Sequence, residues 1–368
     1  MTGKTDAFEK AIQLGLKGDA DGLSSLLSED KEILDQSNED GKSLLYMLCA
    51  ACTDDGAIPS RHGTTEQLKA VTAVLKAGAD PAKASATGMT PLHVAVMGDH
   101  VSLVRSLLDA RADCATGQLL DGRADNSGSP LALALFYAKA KICPEVVALL
   151  AERAGAPANL RTAAALGQPL DDFFQDEKRL SRNALRHLGF YRPIPAFPEW
   201  PARLEWVARQ QGPEPGEVTE DVEQAILDEA LSWAARNNQV ESMVHLCNSG
   251  ANVNSNAFRG TPLLWAIYSD SPEAAQWLLD HGADPDLRHD FGGAEHGHGA
   301  VAMHLAAQYS SLKCLRLLLD RGADATIADA AHGGTPLNWA QFANAADSLE
   351  VLAKYGHRPK ETAEVASK

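Results

Sequence analysis

At 368 residues the chain exceeds the roughly 250–300 over which one hydrophobic core keeps growing, so several domains or an elongated stack are expected. Aliphatic residues are plentiful and aromatics few, at 6%, which suits helices packed through small residues better than a sheet sandwich. A formal net charge of -16 repels phosphate backbones; it argues against nucleic acid and towards a protein partner, one with a basic surface fitting best.

In chain order, a degenerate helical unit runs from Ala7 to about Asp40, with Leu26-Leu27 in its second helix. A second unit opens at Gly41-Lys42-Ser43-Leu44-Leu45-Tyr46 and carries an extra loop around Thr53–Thr64. The third and fourth begin near Gly88 and Gly128 and contain Thr90-Pro91-Leu92-His93-Val94-Ala95 and Ser129-Pro130-Leu131-Ala132-Leu133-Ala134. A fifth is Leu160–Gly167 followed by Leu170–Phe174. After a break, the sixth to ninth begin near Gln224, Gly260, Gly299 and Gly334. They include Thr261-Pro262-Leu263-Leu264-Trp265-Ala266, Val301-Ala302-Met303-His304-Leu305-Ala306 and Thr335-Pro336-Leu337-Asn338-Trp339-Ala340. A second motif closes several units: Gly78-Ala79-Asp80, Gly250-Ala251-Asn252, Gly282-Ala283-Asp284 and Gly322-Ala323-Asp324.

The pattern has a physical logic. A Thr hydroxyl accepts a free N–H at a helix start, and Pro fits the first turn. Small Ala residues let that first helix lie close to its neighbours, and a Leu pair gives the second helix its apolar stripe. Gly supplies a left-handed cap, and Asp or Asn opens the turn to the next unit. On these motifs the sequence resembles the ankyrin-repeat family, whose unit of about 33 residues is a projecting β-turn, an inner helix at Thr-Pro-Leu-His and an outer helix ending at Gly-Ala-Asp. The resemblance covers most of the chain. It implies an all-α ankyrin-repeat solenoid of about nine helix-turn-helix units with short β-turns, interrupted by an irregular insertion. It also implies protein binding through the groove formed by inner helices and turn tips, and a structural hydrogen bond from His93 and His304 to the turn.

The expected organisation is repeats over 1–174, an insertion over 175–223, repeats over 224–358 and a tail over 359–368. Within the insertion, Phe190–Pro201 holds four prolines, which exclude a helix there. Residues 178–209 carry seven Lys and Arg against two Glu, opposite in sign to the whole. Its aromatic residues, Tyr191 and Trp200 among them, either pack on the repeats or join a partner site.

Aligning the inner helices on the position after Thr-Pro-Leu-His gives Val94, Leu133, Trp233, Trp265, Leu305 and Trp339. Three residues on stand Met97, Phe136, Arg236, Tyr268, Gln308 and Phe342, which share that helix face. The tryptophans either seal the stack between helices or line the groove. Arg236, Tyr268 and Phe342 are expected to be the more exposed. Aromatic and Arg side chains dominate interface energetics. The candidate partner-binding set is therefore Trp233, Arg236, Trp265, Tyr268, Trp339, Phe342, Tyr191 and Trp200.

Signals of catalysis are weak. His289, Asp290, Glu295, His296 and His298 sit in a Gly-rich loop that lacks a helix to fix ligand geometry, so a metal-dependent hydrolase is a minor alternative. Cys49 and Cys52 form a C-x-x-C, but Cys49 falls at a core Ala position. No metal, cofactor or catalytic residue is expected, and the chain is expected not to be an enzyme. Scattered cysteines, a start without a signal-type apolar stretch and the lack of a run of about 18 apolar residues point to a cytoplasmic chain with no membrane span. A monomer is favoured over an oligomer. The leading function is a protein-binding scaffold, with an inhibitor or regulatory subunit of one enzyme as the alternative.

Overall fold

The computed structural model describes residues 2–50, 65–86, 88–114, 129–137, 143–155, 159–181, 184, 220–256, 260–290 and 297–358. Tyr191 and Trp200 lie outside these residues, as do most of the basic aromatic insertion, Cys52, Glu295 and His296. Among the described residues there are 17 α-helices, two short 3-10 helices and one two-stranded sheet. They divide into two compact units that part just before Asn159. The repeat at Leu160, grouped by sequence with the N-terminal repeats, thus belongs to the second unit.

The first unit has four helix pairs: α1 (Thr2–Leu16) with α2 (Ala20–Glu29), α3 (Leu44–Ala50) with α4 (Thr65–Lys76), α5 (Pro91–Met97) with α6 (Val101–Asp109), and α7 (Pro130–Tyr137) with α8 (Pro144–Ala154). Inner helices pack on inner helices, α1 on α3, α3 on α5 and α5 on α7. Outer helices likewise pack α2 on α4, α4 on α6 and α6 on α8. The result is two stacked layers, the arrangement expected of a helical solenoid.

The second unit repeats the scheme. Its inner layer is α9 (Leu160–Leu166), α10 (Glu220–Arg236), α12 (Pro262–Tyr268), α14 (Ala302–Gln308) and α16 (Pro336–Phe342), each packed on the next. The outer layer is α11 (Val240–Asn248), α13 (Pro272–Asp280), α15 (Leu312–Asp320) and α17 (Ala346–Lys354). After α9 a 3-10 turn, Asp171–Phe173, stands where an outer helix would. Helix α10 begins at Glu220, ahead of the Gln224 expected. The extra loop near Arg288 contains a β-hairpin, with β1 (His289–Asp290) antiparallel to β2 (His298–Ala300). Its edge is covered by the following turn, where the Ala330 N–H donates to His298 O at 2.8 Å.

Local chemistry accounts for several of the helix ends. Thr90 accepts from the His93 N–H, while His93 Nδ1 accepts from the Thr90 N–H at 3.1 Å, a reciprocal capping box. In the ninth repeat Asn338 takes over the histidine's part, its Oδ1 accepting from the Thr335 N–H at 3.0 Å. His304 Nδ1 accepts from the Val301 N–H at 3.1 Å and its Nε2–H donates to Gly334 O at 3.0 Å, tying one repeat to the next. Outer helices close through Gly78, Gly250, Gly282 and Gly322, with φ of 104°, 107°, 88° and 76°. A Cβ at any of the four would meet nothing within 4 Å, so the left-handed backbone rather than crowding selects glycine.

A second left-handed position recurs that the motifs did not reveal. Among the described residues, the inner helices α5, α9, α10, α12, α14 and α16 are each followed by one residue with positive φ: Asp99, Gly167, Asn238, Asp270, Ser310 and Asn344. The next N–H then bonds five residues back, as His100 to Ala95 O and Ser271 to Ala266 O, which reverses the chain into the outer helix. Asn and Asp tolerate this conformation because their short polar side chains bond locally. Here they reach the next repeat: Asp99 Oδ1 accepts from the Cys143 N–H at 2.7 Å, and Asn238 Oδ1 from the Ala274 N–H at 2.9 Å. At Asp99 and Asn238 the reversal residue thus also caps the outer helix of the next repeat.

Candidate protein-binding face

The inner helices of the second unit carry a continuous row of cations and rings. Arg161 on α9 places its guanidinium 2.9 Å from the Glu229 carboxylate of α10 and 4.6 Å from the Trp233 ring centre. Arg236, one turn along α10, lies 4.5 Å from the Trp265 ring and 4.7 Å from the Tyr268 ring of α12. Trp265 and Tyr268 meet edge to face at 5.8 Å, and Tyr268 meets Tyr309 in the same manner at 5.1 Å. Guanidinium planes stack on aromatic faces and are less strongly hydrated than an ammonium, which suits arginine to this buried place.

Burial along the row is graded. Arg161 and Glu229 are buried, and so are Trp233, Arg236 and Trp265, each about 2% exposed. The expectation that Arg236 would be among the more exposed candidates is corrected: two aromatic rings cover its guanidinium. Trp233 and Trp265 take the sealing role rather than lining a surface. All three therefore leave the set of directly accessible partner residues. Alignment could not supply the depth to which neighbouring helices bury these positions.

The exposed end of the row is different. Tyr268 is half-buried, Tyr309 is 46% exposed and Phe342 is 86% exposed. Trp339 is half-buried; its indole N–H donates to Asp329 Oδ2 at 3.0 Å, and its ring meets His304 edge to face at 5.0 Å. Asp329 also accepts from the Gly334 N–H at 2.8 Å, and these hydrogen bonds hold its carboxyl below the usual range despite burial. Trp339 is thereby anchored, which leaves Phe342, three residues on, as the most exposed large apolar side chain of the described residues. The alignment passed over Tyr309 because it lies one residue beyond the aligned position, at the cap of α14. Arg161 and Glu229 were also missed: Arg161 is the one charged residue of α9, a hint that sequence offers, whereas Glu229 follows Asp228 and does not stand out.

Titratable groups elsewhere follow burial. The Glu229 carboxyl is pushed up by burial, against the downward pull of Arg161 and Trp233. Burial lowers His93 to about 4, opposed by Asp113, and lowers His304 as well. His289, the first histidine of the loop considered for metal, is buried in β1 and lowered to about 3 by burial and by His304. No group of three or more His, Cys, Asp or Glu that could hold a metal ion occurs among the described residues. Cys49 is buried at the core position expected. No described helix is long and apolar enough to cross a membrane.

The ankyrin-repeat family matches the chain in three stretches, residues 61–162, 211–289 and 287–363, well over half its length. The chain belongs to the ankyrin-repeat family. Ankyrin repeats are in general protein-binding modules. Among similar proteins, protein PhlB of Serratia liquefaciens is 38% identical over 96 residues, 26% of this chain and 39% of that protein. A palmitoyltransferase of Lachancea kluyveri is 28% identical over 138 residues, 36% of this chain and 18% of that one. Another, of Drosophila melanogaster, is 28% identical over 152 residues, 33% and 24% of the two chains. The chain spans between about a fifth and two fifths of the length of these relatives.

Proposed function

We propose that this ankyrin-repeat protein is a non-catalytic scaffold that holds a protein partner on the exposed aromatic end of its second inner layer. One observation carries the reading. Phe342 projects from α16 at 86% exposure, on the inner helix that packs against α14, whose cap residue Tyr309 is 46% exposed and meets the half-buried Tyr268 edge to face. Exposed aromatic side chains on a rigid helical support have the makeup of interface anchors: large contact area and little conformational freedom to lose. The buried arginine–tryptophan row beneath supplies that rigidity.

The test is quantitative affinity capture on immobilised full-length chain, comparing wild type with the Tyr268→Ala/Phe342→Ala double variant. A partner should be retained by the first and lost by the second while the circular dichroism spectra coincide. Equal retention by both proteins would move the binding face elsewhere. Stoichiometric turnover by the purified chain alone would defeat the non-catalytic part.

A further inference from the structure

The row of cations and rings stops short of its own pattern. Through α9, α10 and α12 the sequence of groups is arginine, tryptophan, arginine, tryptophan with tyrosine: each of the two arginines on one inner helix covers rings on the next. At α14 the pattern changes. The position equivalent to Arg236 and Tyr268 is Gln308, and the rings that follow, Tyr309 and Phe342, are those that reach the surface. The row thus ends in aromatic faces at a place where, further in, a guanidinium covers them.

Charge beside those rings is complementary to a cation. The turn after α12 holds Asp270, two residues beyond Tyr268, and the first turn of α17 holds Asp347, five residues beyond Phe342; both are exposed. The first turn of α15 holds one exposed cation, Lys313. Around this lies a chain with 49 acidic against 33 basic residues.

Resting on the binding face argued above, we propose that its partner engages Tyr309 and Phe342 with an arginine-bearing basic segment, whose guanidinium continues the stack and whose charge is met by Asp270 and Asp347. Arginine rather than lysine is specified because the planar guanidinium can lie flat on a ring while keeping its in-plane donors for carboxylates. Phe342, with no polar group of its own, contributes only its face and edge, which favours a stacking ligand over a hydrogen-bonding one.

The test uses full-length chain at physiological ionic strength. The probes are three fluorescein-labelled peptides of one design, glycine alternating with arginine, with lysine or with citrulline. Binding is read by anisotropy. The arginine peptide should bind about tenfold more tightly than the lysine peptide, which matches it in charge, and more tightly still than the neutral citrulline peptide. Phe342→Ala should abolish the arginine-over-lysine margin, and Phe342→Tyr should keep it. Equal binding of arginine and lysine peptides, no binding of either, or a margin that survives Phe342→Ala would overturn the proposal. A dimer in sedimentation equilibrium that Phe342→Ala dissociates would assign the face to a second copy of the chain, and would overturn it as well. The capture experiment separates the two levels. If capture depends on Tyr268 and Phe342 but the peptides show no arginine preference, the binding face stands and the arginine assignment falls. If capture is independent of them too, both fall.

Discussion

The two units use one repeat but fill its inner column in different ways. In the first unit the column is aliphatic, Val94 and Leu133, and both are buried. In the second it holds three tryptophans, Trp233, Trp265 and Trp339, beside one buried Leu305, and arginines are buried against the first two. An aliphatic column needs only volume and shape. An aromatic column with buried charge also needs each guanidinium and carboxylate to keep its partner, since an isolated buried charge is far more costly than a cavity. The same backbone thus supports a forgiving core in one unit and an exacting one in the other. In the second unit the row also comes out at the surface, which gives that unit a chemically distinctive face.

The sharpest way to break the contrast is Arg161→Ala. It strands Glu229 and should lower unfolding free energy in urea by about 3–5 kcal/mol. The loss should shrink in acid, where a carboxyl already raised by burial becomes neutral. Replacing both partners by Leu should recover most of it; failure to recover would mean that the pair does more than neutralise itself. Leu133→Ala in the first unit should cost about 2–5 kcal/mol through a cavity. That loss should be the same at every pH, and a strong pH dependence would blur the distinction drawn here.

The capping histidines offer a third comparison. His93 has a folded pKa of about 4 against an ordinary 6.5, so the folded state binds fewer protons than the unfolded one between those values. Stability from this group is present above pH 6.5 and is lost as pH falls through about 4, a contribution of about 3 kcal/mol. His93→Asn should retain the cap, as Asn338 does in the ninth repeat, and should flatten the acid limb of a melting-temperature profile. An unchanged limb would place acid sensitivity elsewhere, His289 and His304 in the second unit being the next groups to vary. The smallest stability effect is expected from Phe342→Ala. Truncating so exposed a side chain should leave unfolding free energy within about 0.5 kcal/mol, and a larger loss would mean that it packs in the fold and is not a free anchor.

Most of the architecture was legible in the chain because each repeat is specified locally. Thr-Pro at 90–91, 261–262 and 335–336 starts helices by capping and fixed φ. Gly78, Gly250, Gly282 and Gly322 stop them by a left-handed turn. The apolar residues between recur at helical spacing. Less legible were the reversals at Asp99, Asn238 and Asp270. They share no one-letter motif, since Gly, Asp, Asn and Ser all serve there. The hairpin at His289 and Ala300 was also hidden, its loop reading as flexible on account of its glycines.

What sequence alone determined was the period and the faces, both of which arise within a single repeat. Which side chains on the chosen face are reachable was decided between repeats. Arg236, Tyr268 and Phe342 occupy equivalent positions, yet the first is sealed by two rings, the second is half-covered and the third stands in solvent. Equivalent positions differ because accessibility depends on which side chains the adjacent helices bring against them, and those neighbours lie tens of residues away along the chain.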